Sequence, residues 1–134
     1  MPSTIVPAAN VRLWSGRILS GLIILFMLFD SGIKLAKAAP AVEGTAKLGY
    51  PVWELVPIGL AGLLSIVLYA IPRTAILGAI LLTGFLGGAT ATQVRMEDSW
   101  FFFPIVLGAM AWGGLYLRDT RLRILIPLRA TEGA

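Results

Sequence analysis

Four charged side chains lie at the same ends of long apolar segments, and they are the residues best placed to do chemistry. Asp30 and Lys34 are four residues apart near the end of the first segment, Glu54 begins the second, and Arg95 ends the third. Charges at the rim of a membrane span are costly, so each is a functional candidate. Residues four apart on a helix can pair. Two interpretations stay open: a polar cap over a small-molecule cavity, or interfacial side chains that cross-link helix ends.

Small and polar residues recur at helical spacing on the same segments, which places them on single helix faces. On the first segment the face consists of Gly16, Ser20, Ile23, Met27, Asp30 and Lys34. On the second segment it consists of Glu54, Ile58, Ala61 and Ser65. On the third segment it consists of Gly84, Gly88, Ala91 and Arg95, with Thr83, Thr92 and Gln93 beside it. A GxxxG face lets helices approach closely, so we expect tight packing at Gly84 and Gly88, with a ligand cavity as the alternative. The candidate ligand-binding or polar-cluster residues are Asp30, Lys34, Glu54, Gly88, Thr92, Gln93 and Arg95.

Several kinds of chemistry are excluded by residue type. The sequence contains no cysteine and no histidine, so thiolate catalysis, His-ligated haem and Cys or His metal sites are excluded. We expect no catalytic residues and no metal site. The net charge of +4 comes from bases at the ends of apolar segments, as the positive-inside rule predicts, so we expect no nucleic-acid partner.

The elements that carry these residues are membrane spans. Of the 134 residues, 57% are hydrophobic and 13% charged, whereas soluble domains are about a quarter charged. Four stretches, near 13–35, 53–71, 74–94 and 100–117, approach or exceed the roughly 20 residues that cross a bilayer core, and they must be helical because lipid offers backbone amides no partner. We therefore predict an all-α membrane protein, one domain over 1–134, with four antiparallel helices and a basic tail at 118–134.

Orientation follows from the basic residues beside the spans. With both termini inside, the inner side carries Arg12, Arg17, Arg73, Arg118, Arg121, Arg123 and Arg129, and the outer side carries Lys34, Lys37, Lys47 and Arg95. Seven bases against four predict cytoplasmic termini. A signal peptide cleaved after Ala36-Lys37-Ala38 is the alternative for the first segment; we expect this segment to remain as the first span.

The second and fourth spans resemble each other. Val-Pro-Ile-Gly-Leu at 56–60 aligns with Phe-Pro-Ile-Val-Leu at 103–107, and Leu68-Tyr69 aligns with Leu115-Tyr116, at a constant offset of 47 residues. The first and third spans match more loosely. Two tandem helical hairpins around a pseudo-twofold axis would explain the match, and chance similarity between apolar helices is the alternative.

Several short motifs keep their order and spacing along the chain. They are Gly-Arg-Ile-Leu at 16–19, Leu-Gly-Tyr-Pro at 48–51, Pro-Arg-Thr-Ala-Ile-Leu-Gly-Ala at 72–79, Gly-Gly-Ala-Thr-Ala-Thr-Gln-Val-Arg at 87–95 and Gly-Gly-Leu-Tyr-Leu-Arg-Asp at 113–119. In these the chain resembles the bacterial DoxX-like family from about Trp14 to Arg129. The resemblance implies a multi-pass four-helix protein of the bacterial cytoplasmic (inner) membrane, in a family partly linked to redox complexes. It supplies no catalytic residues.

The functional hypothesis is an accessory subunit, not an enzyme on its own, that binds a small amphipathic ligand such as a quinone or a lipid. We expect its site between the first and third spans, because apolar walls with a few polar groups suit such a molecule. Electron transfer would need a bound cofactor or a redox partner subunit. The alternatives are a small oligomeric exporter, which needs an acid deeper in the first span than Asp30, and a structural partner of another membrane protein. The small-residue faces also allow a homo-oligomer.

Overall fold

Four long helices form the body of the protein. The computed structural model describes residues 6–129, with side chains from Asn10 onward. Within that range the helices are α1 (Val6–Leu35), α2 (Ala39–Lys47), α3 (Leu55–Ala70), α4 (Ala75–Arg95), α5 (Phe102–Arg118) and α6 (Thr120–Leu125), and no strand occurs. α1, α3, α4 and α5, the last three with the turns before them, are long and apolar enough to cross a membrane. The all-α membrane fold predicted from the sequence is confirmed.

The four spanning helices form a closed ring. α1 packs on α3, α3 on α4, α4 on α5, and α5 returns to α1. α1 and α4 therefore occupy opposite corners, which is why a space can remain between them. We call the two ends of the bundle the α2 end, where α1 and α4 finish, and the α6 end, where α3 and α5 finish.

The core includes most of the predicted face of α1, one residue of the face of α3 and none of the face of α4. Ser20, Ile23 and Met27 are all buried. On α3 the buried residues are Leu55, Gly59, Gly62, Ser65, Ile66 and Tyr69, so Ser65 is the one member of the predicted face that is buried. On α4 the buried residues are Ala75, Gly78, Ala79, Leu82 and Leu86. In an almost uniformly apolar helix the period does not reveal which side meets the neighbouring helices.

The short connections set the helix crossings. A 3₁₀ turn at Pro72–Thr74 joins α3 to α4, as the Ile-Pro-Arg motif predicts. A Cβ at position 78 would clash with the backbone of Tyr69, so Gly78 lets these two helices touch along their backbones. Pro57 and Pro104 are each the third residue of their helix, where a missing amide costs little.

The offset of 47 residues also relates the 3₁₀ turns that precede α3 and α5. The 3₁₀ turn Val52–Glu54 precedes α3, and the turn Ser99–Phe101 precedes α5, each ending at the residue before its helix. The paired tyrosines differ, since Tyr69 is fully buried and Tyr116 is only partly buried. α1 and α4 differ in length, so a duplication of whole hairpins stays a prediction.

Two helices were not predicted. α2 lies in what the sequence suggested was a loop, and α6 lies inside the predicted basic tail. Both are shorter than a membrane span, so the hydropathy that revealed the other four helices does not reveal them. α2 begins with Pro40 in its first turn and buries Ala41 and Thr45, which turns one side of it toward the bundle.

Candidate functional site

A cavity of about 580 Å³ opens at the α2 end and is partly enclosed by helices. α1 contributes Asp30, Ile33 and Lys34, and α4 contributes Gly84, Phe85, Gly88, Ala89 and Thr92. α2 and the loop after it cover one side, through residues that include Thr45, Lys47 and Tyr50. Ile58 of α3 and Asp98 complete the lining. The cavity thus lies between the first and third spans, where the sequence analysis placed it.

The charged part of the lining is an ion pair within α1. Lys34 Nζ donates to Asp30 Oδ2 at 2.7 Å, and the two side chains remain 19% and 25% exposed. Lys34 Nζ also lies 5.5 Å from the centroid of the Phe85 ring, within range of a cation–π interaction. This is the pair that the four-residue spacing predicts. Both groups line the cavity, and each has hydrogen-bonding capacity beyond the bond they share.

A second polar group joins the loop after α2 to α4. The hydroxyls of Tyr50 and Thr92 lie 2.8 Å apart, and Thr92 Oγ1 donates to Gly88 O at 2.9 Å. Because the Thr92 proton is then used, Tyr50 donates to Thr92 and keeps its own lone pairs for another donor. Gly49 has a φ of +89°, a conformation that glycine adopts without strain, and it precedes Tyr50 at this turn. The turn therefore brings a hydroxyl to the rim of the cavity.

The wall formed by α4 corrects the packing expectation. An added Cβ at Gly84 or Gly88 would meet no atom within 4 Å. The GxxxG face has no helix against it, because α1 stands at the opposite corner of the ring and the two neighbours of α4 pack on its other sides. These glycines line open space instead of closing a helix contact.

Three predicted site residues lie outside the cavity lining. Gln93 Nε2 is 3.3 Å from Asp98 Oδ2 and 3.3 Å from Trp100 O, so it stabilises the turn after α4. Arg95 is exposed, and Glu54 lies in the 3₁₀ turn before α3. The expected cluster of two acids and two bases does not form, since among residues 10–129 the ion pairs are Asp30–Lys34 and Asp119–Arg121.

Two other residues from the predicted helix faces or beside them lie away from the cavity. Ser20 is buried at the α6 end, where its Oγ lies 2.9 Å from the Tyr69 hydroxyl and accepts from Arg118 Nε at 2.9 Å. Thr83 accepts from Trp112 Nε1 at 2.6 Å on the outside of the bundle. Ser20 shares a face with Asp30 but lies almost three turns away along α1, so one helix face serves both ends of the bundle.

Sequence reasoning missed Tyr50, Phe85 and the residues of α2 that cover the cavity. The Leu-Gly-Tyr-Pro motif indicated a turn immediately before Tyr50, because glycine and proline are typical turn residues. Phe85 had no signal, because an aromatic residue in an apolar helix is most often ordinary packing. Within the described residues no group of three or more Asp or Glu side chains is arranged to hold a metal ion.

Comparison with known protein families matches residues 18–114 to the DoxX-like family. The matched region runs from α1 to α5 and includes every part of the chain that lines the cavity. No curated protein and no solved structure matches the chain.

Proposed function

The chain belongs to the DoxX-like family of membrane proteins, and we propose that it is an accessory subunit that binds a small amphipathic molecule in the cavity at the α2 end. The observation that supports the proposal is a space of about 580 Å³ lined by Gly84, Gly88 and Phe85 of α4 and by the Asp30–Lys34 pair of α1. A concave, mostly apolar site with a few convergent polar groups is what such a ligand requires.

The polar groups favour a ligand whose headgroup carries acceptor oxygens. The Lys34 ammonium has two N–H groups that its bond to Asp30 leaves for other acceptors. Quinone carbonyls and phospholipid phosphates share this chemistry, so both are candidate headgroups. The apolar remainder of the molecule would lie against Ile33, Ile58 and Phe85.

A link to membrane redox processes is part of the proposal. The chain has no cysteine and no histidine, so its own side chains offer no thiol redox couple and no imidazole to relay protons. Electrons would have to reside on a bound quinone and come from a partner subunit. The protein would then hold and orient the quinone without performing the electron transfer itself.

Replacing Gly88 by leucine tests the site. Gly88→Leu would place a side chain in open space at the cavity wall, while Gly87→Leu adds the same side chain on the exposed side of α4. Affinity for a short-chain ubiquinone and for a short-chain phosphatidylglycerol is measured by calorimetry in detergent. We expect Gly88→Leu to weaken binding of the true ligand class at least tenfold and Gly87→Leu to leave it unchanged.

The two probes separate the two ligand classes. Tight binding of the ubiquinone alone supports the redox role, and tight binding of the phospholipid alone supports a lipid site. Equal affinity in Gly88→Leu and Gly87→Leu, or no binding of either probe to the unmodified protein, would refute the cavity as the site.

We also propose that the α6 end faces the cytoplasm of a bacterial inner membrane. Among the described residues this end carries seven arginines and one acid, Asp119, whereas the α2 end carries four bases and five acids. Such an excess of bases marks the inner side. A reporter that works only in the cytoplasm should be active when it is fused after residue 134. A reporter that works only outside the cytoplasm should be active when it is inserted in the loop between α2 and α3. The reverse pattern would contradict the orientation.

A further inference from the structure

A second concave surface lies at the α6 end, outside the ring of spanning helices. α6 folds back along the end of α5, and Leu122 anchors it because its side chain is 3% exposed. Arg123 NH1 donates to Tyr116 O at 2.6 Å and to Leu117 O at 3.0 Å. These are carbonyls of the last helical turn of α5, which have no partner within their own helix. Arg123 therefore fixes α6 beside α5.

The start of α6 is fixed as well. The Asp119 side chain accepts from the backbone amide of Arg121 at 2.9 Å, an N-cap, and pairs with its guanidinium at 3.4 Å. Burial raises the pKa of Asp119, but the hydrogen bonds and the charge of Arg121 outweigh it and hold that pKa below its ordinary value. At neutral pH this acid is ionised and already paired.

Between α5 and α6 runs an apolar groove of about 440 Å³. Its lining is almost entirely apolar and consists of Trp112, Gly113, Tyr116, Leu117, Leu122 and Ile126. Ile124, Leu125 and Leu128 beside it are more than half exposed. A short helix with exposed apolar residues and interleaved arginines, at the end of a membrane span, lies at the level of the lipid headgroups.

We propose that this groove holds an acyl chain of an anionic phospholipid whose phosphate is bound by Arg121 and Arg123. Charge complementarity selects the headgroup: the described residues of this end carry seven arginines, and their one acid is the Asp119 already paired with Arg121. A zwitterionic lipid would bring an ammonium group to a surface with no free carboxylate among those residues. Arg123 uses one nitrogen for the α5 carbonyls, so its other N–H groups are left for phosphate oxygens.

Trp112 lines the groove and serves as the reporter. Trp14, Trp53 and Trp100 are each more than half exposed, so replacing all three by phenylalanine leaves Trp112 as the only indole. This protein is reconstituted in vesicles of nine parts phosphatidylcholine and one part phosphatidylglycerol, with brominated chains on one lipid or the other. We expect brominated phosphatidylglycerol to quench Trp112 about fivefold more than its mole fraction predicts.

Three variants make the test specific. Arg121→Gln with Arg123→Gln should return the quenching to the mole fraction, and Gly113→Leu, which fills the groove, should reduce quenching by both lipids. Gly21→Leu, where an added Cβ meets nothing within 4 Å and which lies on α1, should change neither. As a second measurement, phosphatidylglycerol retained after delipidation is counted on the unmodified chain. Quenching at the mole fraction, or no effect of the arginine variant on either measurement, would overturn the proposal.

Discussion

Gly114 at the α6 end and the pair Gly84 and Gly88 at the α2 end have opposite surroundings. At the α6 end, an added Cβ at Gly114 would lie 2.9 Å from the backbone nitrogen of Ser20 and 3.0 Å from the carbonyl oxygen of Gly16, so α1 and α5 touch along their backbones there. At the α2 end, Gly84 and Gly88 meet nothing. A small residue permits a close helix approach, but only the position of the neighbouring helix decides whether the approach takes place.

The burial of polar groups also differs between the two ends. At the α6 end the Tyr69 hydroxyl is fully buried, donates to Ala111 O at 2.6 Å and lies 2.9 Å from Ser20 Oγ. At the α2 end the Asp30–Lys34 pair keeps about a fifth of its surface exposed. Satisfied and buried polar groups hold helices in one arrangement, whereas partly exposed ones remain available to a ligand.

The largest effect should come from comparing a glycine-to-leucine substitution at the α6 end with one at the α2 end. Gly114→Leu forces a side chain into backbone atoms of α1, and we expect a loss of about 3 kcal/mol or more in the free energy of unfolding. Gly84→Leu enters open space and replaces glycine by a better helix former, so its stability should be unchanged or higher by up to about 1 kcal/mol. Thermal unfolding in detergent, followed by circular dichroism, measures both. Equal losses would contradict the contrast between the ends.

A smaller effect is expected from the hydroxyl of Tyr69. Tyr69→Phe removes the donor to Ala111 O and the partner of Ser20, and should cost about 1 kcal/mol of stability. The matched control is Tyr116→Phe at the position 47 residues later, because Tyr116 contributes its backbone carbonyl to Arg123 and the substitution keeps that group. If both variants lost the same stability, the loss could not be assigned to the buried hydrogen bonds of Tyr69.

The smallest effect should appear in the ion pair of the cavity. A double-mutant cycle with Asp30→Asn and Lys34→Gln should give a coupling energy of about 0.5 kcal/mol, because both side chains are partly exposed and screened. Chemical unfolding of the four proteins in mixed micelles measures it. A coupling above about 2 kcal/mol would mean that the pair holds the fold together and that the α2 end is closed as firmly as the α6 end.

The spans were predictable because lipid imposes a length and an apolar composition on them. The predicted 53–71 and 74–94 match α3 and α4 to within two residues at each end. α1 starts earlier than predicted, at Val6, since nothing after Pro7 interrupts the helix before the apolar segment begins. α2 and α6 were missed because helices of nine and six residues leave no hydropathy signal.

The lining of the cavity was predicted in part. Asp30 and Lys34 of α1 and Gly88 and Thr92 of α4 line the cavity. Each pair was predicted from residue spacing within its own helix. Glu54, Gln93 and Arg95 do not line it, because their positions depend on how far each helix extends past its neighbours, and spacing within a helix carries no such information. The order of the helices around the ring is likewise set by packing between segments distant in sequence.

The connections of Tyr69 have a consequence for biosynthesis. Its hydroxyl bonds Ser20, which the ribosome makes 49 residues earlier, and Ala111, which it makes 42 residues later. A tyrosine hydroxyl in an apolar interior is costly without a partner. With only α1, α3 and α4 in the bilayer, that partner is Ser20, and the carbonyl of Ala111 is still missing. Insertion of α5 supplies it. Of the four spanning helices described, α5 is synthesised last, and it completes the hydrogen bonds of Tyr69 that join α1, α3 and α5.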